Sequence, residues 1–114
     1  LRSVRGARLE TQLDRLSPTD AAAPLLLEEW LRLTARDGEG RVRARTRIRD
    51  FPRQAMHVEL LLLAGSVLYA EGDAAEAALY FREAEAKTAD RMVRRDIEEW
   101  LARCRFLLQD EHVQ

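Results

Sequence analysis

The chain has 114 residues, 46% of them apolar and 34% charged, with a net charge of −1. That is long enough for one domain with a modest core and too apolar for disorder, and the small net charge supplies no global pull toward nucleic acid or a membrane surface. Only five Gly and three Pro occur, Ala, Leu, Arg and Glu dominate, and the single cysteine, Cys104, rules out an internal disulfide framework. Strong helix formers throughout point to an all-α fold. The charge is unevenly placed. Residues 32–53 carry eight Arg against three acids, and residues 71–99 carry nine acids against five bases. Such polarity favours self-association or docking of a charged partner. The longest apolar run, Leu60–Gly65, is far short of the ~20 residues that span a bilayer, so no membrane insertion is expected. The chain opens on Leu1 rather than Met, which leaves a processed product or a piece of a longer protein open.

Taken in order, residues 2–16 form a helix on which Leu9, Leu13 and Leu16 recur at i, i+4, i+7. Ser17-Pro18 stops it, because a proline disfavours helix at the residue before it. Thr19 or Asp20 caps the next helix, which runs to about Arg36 with Leu27, Trp30, Leu31 and Thr34 as its face, and Asp37-Gly38-Glu39-Gly40 ends it. Residues 41–51 alternate Arg with Val42, Ala44, Thr46 and Ile48. Period two is a strand signal, but Ala44, Ile48 and Phe51 also fall at i, i+4, i+7, and a lone strand has no partner; helix is the expectation. A further helix spans 54–70, a turn follows at Glu71-Gly72-Asp73, and Ala74–Lys87 forms its antiparallel partner. The last helix runs from Asp90, its N-cap, to Leu108, with Val93, Ile97, Trp100, Leu101, Cys104 and Leu108 on one stripe; Cys104 is read as buried packing, and residues 109–114 as a frayed tail.

Self-comparison shows a spacing of 34 residues: Pro18 precedes Pro52 by that interval, and Gly38 precedes Gly72. In residues 58–91, Gly65, the Gly72-Asp73 turn, Ala77, Phe81 and Ala84 fall where small and aromatic contacts are needed for two helices to pack. This stretch resembles a tetratricopeptide repeat, although the usual tryptophan, tyrosine and closing proline positions hold Leu61, Leu68 and Ala89. Residues 24–57 fit the same frame with a one-residue slip in their second helix. The resemblance implies a single domain. It comprises an N-terminal helix at 2–16, repeats at 24–57 and 58–89, a capping helix at 90–108 and a tail at 109–114, five to six helices in all. They would form antiparallel hairpins wound into a short right-handed superhelix. Its core would be Leu27, Trp30, Leu31, Leu61, Leu68, Ala77, Phe81, Ala84, Ile97, Trp100 and Leu101.

Catalytic constellations are missing from the pattern. His57 and His112 lack neighbouring ligands at metal spacing and read as surface histidines. The pairs Glu28-Glu29 and Glu98-Glu99 diverge by about 100° on a helix. Gly38-Glu39-Gly40 lacks the lysine of a phosphate loop, and Ser3, Ser17 and Ser66 lack an activating context. No enzyme activity and no cofactor are expected. Arg41, Arg43, Arg45, Arg47 and Arg49 make a basic patch that could contact phosphates, but no aromatic is interleaved to stack bases. Solvated or internally paired arginines come first, an acidic protein partner second, nucleic acid third.

What the resemblance implies about function is a non-catalytic scaffold or adaptor. Its concave groove would hold a peptide or amphipathic helix of a partner protein. The implied lining is Glu28, Arg32, Ala35 and Arg36 from the earlier unit and Glu59, Leu62, Ser66, Tyr69 and Ala70 from the later one. Arg32, Arg36 and Tyr69 are the expected anchors. Leu62 and Ser66 stand where family members that grip chaperone tails carry Lys and Asn, so that clamp is not expected. Two alternatives come from other classes: a small secretion-type chaperone shielding an aggregation-prone subunit, and nucleic-acid binding through 41–49. The Ala/Arg/Leu-rich composition suggests a GC-rich bacterial genome. A cytoplasmic location is the expectation, with the periplasm open.

Overall fold

Three side chains set where three of the helices begin. Ser3 Oγ accepts from the Gly6 amide (2.9 Å), Asp37 Oδ1 from Gly40 (2.7 Å), and Asp90 Oδ1 from Met92 and Val93 (2.9 and 3.3 Å). Each satisfies first-turn N–H groups that have no partner within the helix. The computed structural model describes residues 3–113, the last four by their backbone alone. Among the described residues there are six α-helices and no strand: α1 Val4–Arg15, α2 Ala23–Thr34, α3 Gly38–Asp50, α4 Val58–Ala70, α5 Ala74–Lys87 and α6 Arg91–Val113. A 3-10 turn, Arg53–Ala55, follows Pro52. The expected helical residue Arg2, the side chain of His112 and residue Gln114 lie outside the described set.

The all-α expectation holds, and so does the helical reading of the alternating arginine stretch. Ala44 and Ile48 are fully buried, so the i, i+4 spacing and not the period of two determines the buried face. Several boundaries differ from expectation. α2 stops at Thr34 rather than Arg36, because Ala35 and Arg36 turn the chain so that Asp37 can cap α3. Gly38-Glu39-Gly40, expected to end one helix, instead make the first turn of the next. Neither Thr19 nor Asp20 caps α2: Thr19 pairs with Ser17, and Asp20 holds the Ala22 amide in the preceding turn. α4 begins at Val58 and not at residue 54, since the 3-10 turn and extended Met56-His57 intervene. α6 continues through Val113, so the expected tail from 109 is helical. Gln109 and its neighbours include no Gly or Pro that would end it.

The end of α4 and both ends of α5 follow the expected boundaries. Gly72 has φ +85°, the only positive φ among the described residues. Gly72 N–H donates to Tyr69 O and Asp73 N–H to Leu68 O, a Schellman closure of α4 that needs a residue tolerant of left-handed backbone. Lys87, the chain's only lysine, fastens the linker before α4: Nζ donates to Gln54 O (2.9 Å) and Met56 O (2.6 Å). A compact ammonium can serve two converging carbonyls where a planar guanidinium would need more room.

α2 packs on α1, α3 and α4; α4 packs on α3 and α5; α5 packs on α6. The extents are 43 × 33 × 21 Å, so the short axis holds about two layers of helices ~10 Å across. Every residue of the expected core is buried except Trp100, which is half-buried. Its indole stacks on Phe81 (centroids 5.1 Å, 13° between planes) and takes Tyr69 edge-on (5.4 Å, 73°). Phe81 is the fixed point. A Cβ placed on Gly65 would lie 2.7 Å from its ring, so the ring occupies the side-chain space that Gly65 leaves open. The sequence pairs Gly65 with Ala77 as the close approach; the atoms that limit Gly65 belong to Phe81.

Gly65→Leu should therefore lose about 1–3 kcal/mol of stability by overpacking, and Phe81→Ala about 3–5 kcal/mol by leaving a cavity. Urea unfolding measures both, and a neutral Phe81→Ala would contradict the stack. Gly40 offers a second comparison. A Cβ there would lie 1.7 Å from Thr34 O, whereas one on Gly38 meets nothing closer than 3.8 Å. Gly40→Ala should cost about 1–3 kcal/mol or more, and Gly38→Ala should stay within about 0.5 kcal/mol.

Candidate binding surface

The arginine run must be placed first, because it carries the strongest charge signal in the chain. Two residues along a helix turn by about 200°, and four by about 40°. An alternating run therefore splits into two stripes on either side of the buried Ala44–Ile48 seam. Arg41, Arg45 and Arg49 form one stripe and face the acidic turn and first residues of α5. Arg41 Nε lies 3.3 Å from Glu71, Arg45 3.2 Å from Asp73, and Arg49 2.7 Å from Glu76 and 3.4 Å from Asp73. Arg43 and Arg47 form the other. Arg43 lies 3.7 Å from Glu39, and Arg47 reaches Asp14 on α1 (2.5 Å) with its guanidinium 5.4 Å from the Trp30 ring centroid. α3 exposes Val42, Thr46 and Asp50 together with Arg49, whose side chain stays 44% exposed while it pairs with Glu76 and Asp73. Each arginine of the basic patch expected at 41–49 thus has a carboxylate within ion-pair distance, and Arg53 continues the pairing to Glu83 (3.7 Å).

The uncommitted surface lies on α2 and α4. Six of the thirteen α4 residues are buried, and the rest form a less covered side: Glu59 and Ala70 are exposed, and Val58, Leu62, Leu63, Ser66 and Tyr69 are half-buried. All five α4 residues expected to line a groove sit on that side. On α2, Glu28 and Arg32 share the corresponding outward face. Ala35 and Arg36 do not continue it helically, because α2 has ended; Arg36 folds back so that Nε donates to Arg32 O (3.1 Å). Tyr69 is partly engaged by the edge-on contact with Trp100, and Ser66 Oγ donates to Leu63 O (2.7 Å). Of the three expected anchors, Arg32 and Arg36 are exposed, the Arg32 side chain by 58%, and Tyr69 is half-buried.

Glu28 joins the two helices. Its Oε2 accepts from Arg32 Nη2 (2.5 Å), and its Oε1 lies 2.6 Å from Nε2 of His57, the residue that precedes α4. His57, expected to be a plain surface histidine, is half-buried and in contact with this carboxylate. No local signal revealed this pair, since the partners are 29 residues apart. Burial pushes the Glu28 carboxyl upward, but the Arg32 and His57 contacts outweigh it and hold it below the usual carboxylate range. Glu76 is lowered chiefly by its hydrogen bond from Arg49. Burial raises the Cys104 thiol, which leaves it a poor nucleophile. Among the described residues no three His, Cys, Asp or Glu side chains gather as a metal site, and no helix is long and apolar enough to cross a membrane.

Comparison with protein-family models, curated proteins and solved structures finds no match.

The lowered carboxylates set an acid limb for stability. A group whose folded pKa lies below its unfolded value stabilises the fold above the unfolded value, here near 4.5, and loses that contribution as pH falls through the folded one. Stability of the wild type should drop as pH falls through and below that unfolded value. Glu76→Gln should be less stable near neutrality and fall less steeply on acidification. Urea titrations across that range check it; parallel acid limbs would mean the Arg49–Glu76 pair contributes nothing.

Proposed function

We propose that this chain is a non-catalytic binding module that holds a peptide or amphipathic helix of a partner protein across the outward stripes of α2 and α4. The observation that carries the reading is the stripe on α4. It is the less covered side of that helix, it mixes the half-buried Leu62 and Tyr69 with Glu59 and Ser66, and it adjoins Arg32 across the Glu28–His57 contact. A mixed apolar and charged surface on rigid helices suits a helix-in-groove or extended-peptide partner. The helical hairpins and the spacing of 34 residues support a tetratricopeptide-like frame with a right-handed superhelix, acting as a scaffold or adaptor in a bacterial cytoplasm.

The other classes have less support. A secretion-type chaperone needs a broad apolar concave face, and none of the large exposed hydrophobics (Val4, Leu25, Val42, Leu79, Met92, Phe106) lies on this stripe. Nucleic-acid binding through 41–49 needs free cations, and each of those arginines has a carboxylate within ion-pair distance.

The test is to recover the partner by affinity capture from the source organism and titrate it against variants. Tyr69→Phe keeps the ring against Trp100 and removes only the hydroxyl, so Arg32→Ala/Tyr69→Phe should fold as wild type. It should weaken binding by ~2 kcal/mol or more, while Thr46→Ala on the outer face of α3 should have no effect. Wild-type affinity in the double variant would move the site off this surface.

A further inference from the structure

The two copies of the 34-residue spacing are not equally covered. Leu27, Trp30 and Leu31 on α2 are buried, and so are Leu61, Ala64 and Gly65, 34 residues on. Met56, Leu60 and Val67 are buried as well, because α4 lies against both α2 and α3. Their counterparts at the same spacing are Ala22, Leu26 and Leu33. Ala22 is exposed, and the two leucines are half-buried. The side of α2 that corresponds to the covered side of α4 keeps its apolar residues without the cover.

An open cavity of about 560 Å³ marks the place, lined by Gln12, Arg15 and Leu16 of the α1 end and Ala22, Leu25 and Leu26 of the α2 start. Leu25 is 64% exposed. The opposite edge of the molecule is unlike it. The outward face of α6 carries Arg94, Arg95, Glu98, Glu99 and Arg105, interrupted by Met92 and Phe106. A helical stack that meets water presents a polar outer face; charged residues predominate on that of α6, whereas Leu16, Leu25 and Leu26 meet at one open hollow on the α1–α2 edge.

Charge narrows what the edge accepts. Gln12 and Arg15 line the apolar dish, and Arg8, four residues before Gln12, continues the same face of α1 by a further turn. Neither Arg8 nor Arg15 has a carboxylate within ion-pair distance among the described residues, whereas Arg5 is paired with Glu29 across the α1–α2 seam. We propose that this edge docks an amphipathic helix of a partner protein. That helix is apolar on the stripe that meets Leu16, Leu25 and Leu26, and acidic along the flank that meets Arg8 and Arg15. The edge shares no residue with the α2–α4 stripe described above, and it stands or falls separately.

Two synthetic peptides of about 18 residues test it, long enough to hold helical structure. One carries a leucine stripe flanked by glutamate, the other the same stripe flanked by lysine. The full chain should bind the glutamate peptide at least ~10-fold more tightly, a preference worth ~1.4 kcal/mol. Leu25→Glu should weaken that binding by ~10-fold with an unchanged melting curve, since Leu25 is exposed. Arg8→Glu/Arg15→Glu should reverse the preference. The proposal is overturned by failure of both peptides to bind, by equal binding of the two, or by binding that Leu25→Glu leaves intact. Self-association that Leu25→Glu abolishes would also overturn it, by assigning the edge to a second copy. Loss of peptide binding in Arg32→Ala/Tyr69→Phe, with Leu25→Glu unaffected, would place the peptide on the α2–α4 stripe and overturn it too.

Discussion

The structure turns on one contact, the Phe81 ring seated in the space that Gly65 leaves and stacked against Trp100. Gly65 is on α4, Phe81 on α5 and Trp100 on α6, so a single aromatic ring ties three helices. Its geometry requires a residue without Cβ on one side and a flat partner on the other. That pairing also fixes Tyr69, whose ring meets the same indole edge-on. The outward stripe of α4 is therefore held at a set angle by the core beneath it, which is what a pre-organised binding surface needs to limit the entropy lost on association.

Electrostatics completes the arrangement from the other side. The chain concentrates cations in α3 and anions around α5, and folding brings the two together along Arg41–Glu71, Arg45–Asp73 and Arg49–Glu76. Each pair is partly solvated and individually modest. Their collective effect is on register: arginines repeating every four residues meet carboxylates from the α4–α5 turn onward. Period two in sequence became two stripes in space, and each of the five arginines has a carboxylate within ion-pair distance. The first-ranked reading of the arginine run, solvated or internally paired side chains, agrees with these pairs, which join α3 to the α4–α5 turn and the start of α5.

What was legible in the sequence was whatever local chemistry determines. The α4–α5 hairpin could be bounded from Gly72-Asp73 because a left-handed residue closing a helix has few alternatives to glycine. Ala44 and Ile48 identified the buried face of α3. Gly40, Lys87 and His57 were misread or passed over for a common reason. Gly40 is needed because Thr34 O lies where its side chain would be, Lys87 because two linker carbonyls converge, and His57 because Glu28 stands opposite. Each depends on a partner brought near by packing, and neither periodicity nor composition encodes that partner. For the surface, helical phase puts the expected α4 residues on one side of that helix, while Ala35 and Arg36 lie beyond the end of α2, which stops two residues early before the Asp37 cap.

The central claim is that α2 and α4 together carry the partner while α3 is engaged internally. Backbone amide hydrogen exchange of the chain, free and with its captured partner, tests it most directly. The account predicts added protection over residues 28–32 and 59–70 and unchanged exchange over 41–49. Protection confined to 41–49, with the α2 and α4 amides unaltered, would contradict it.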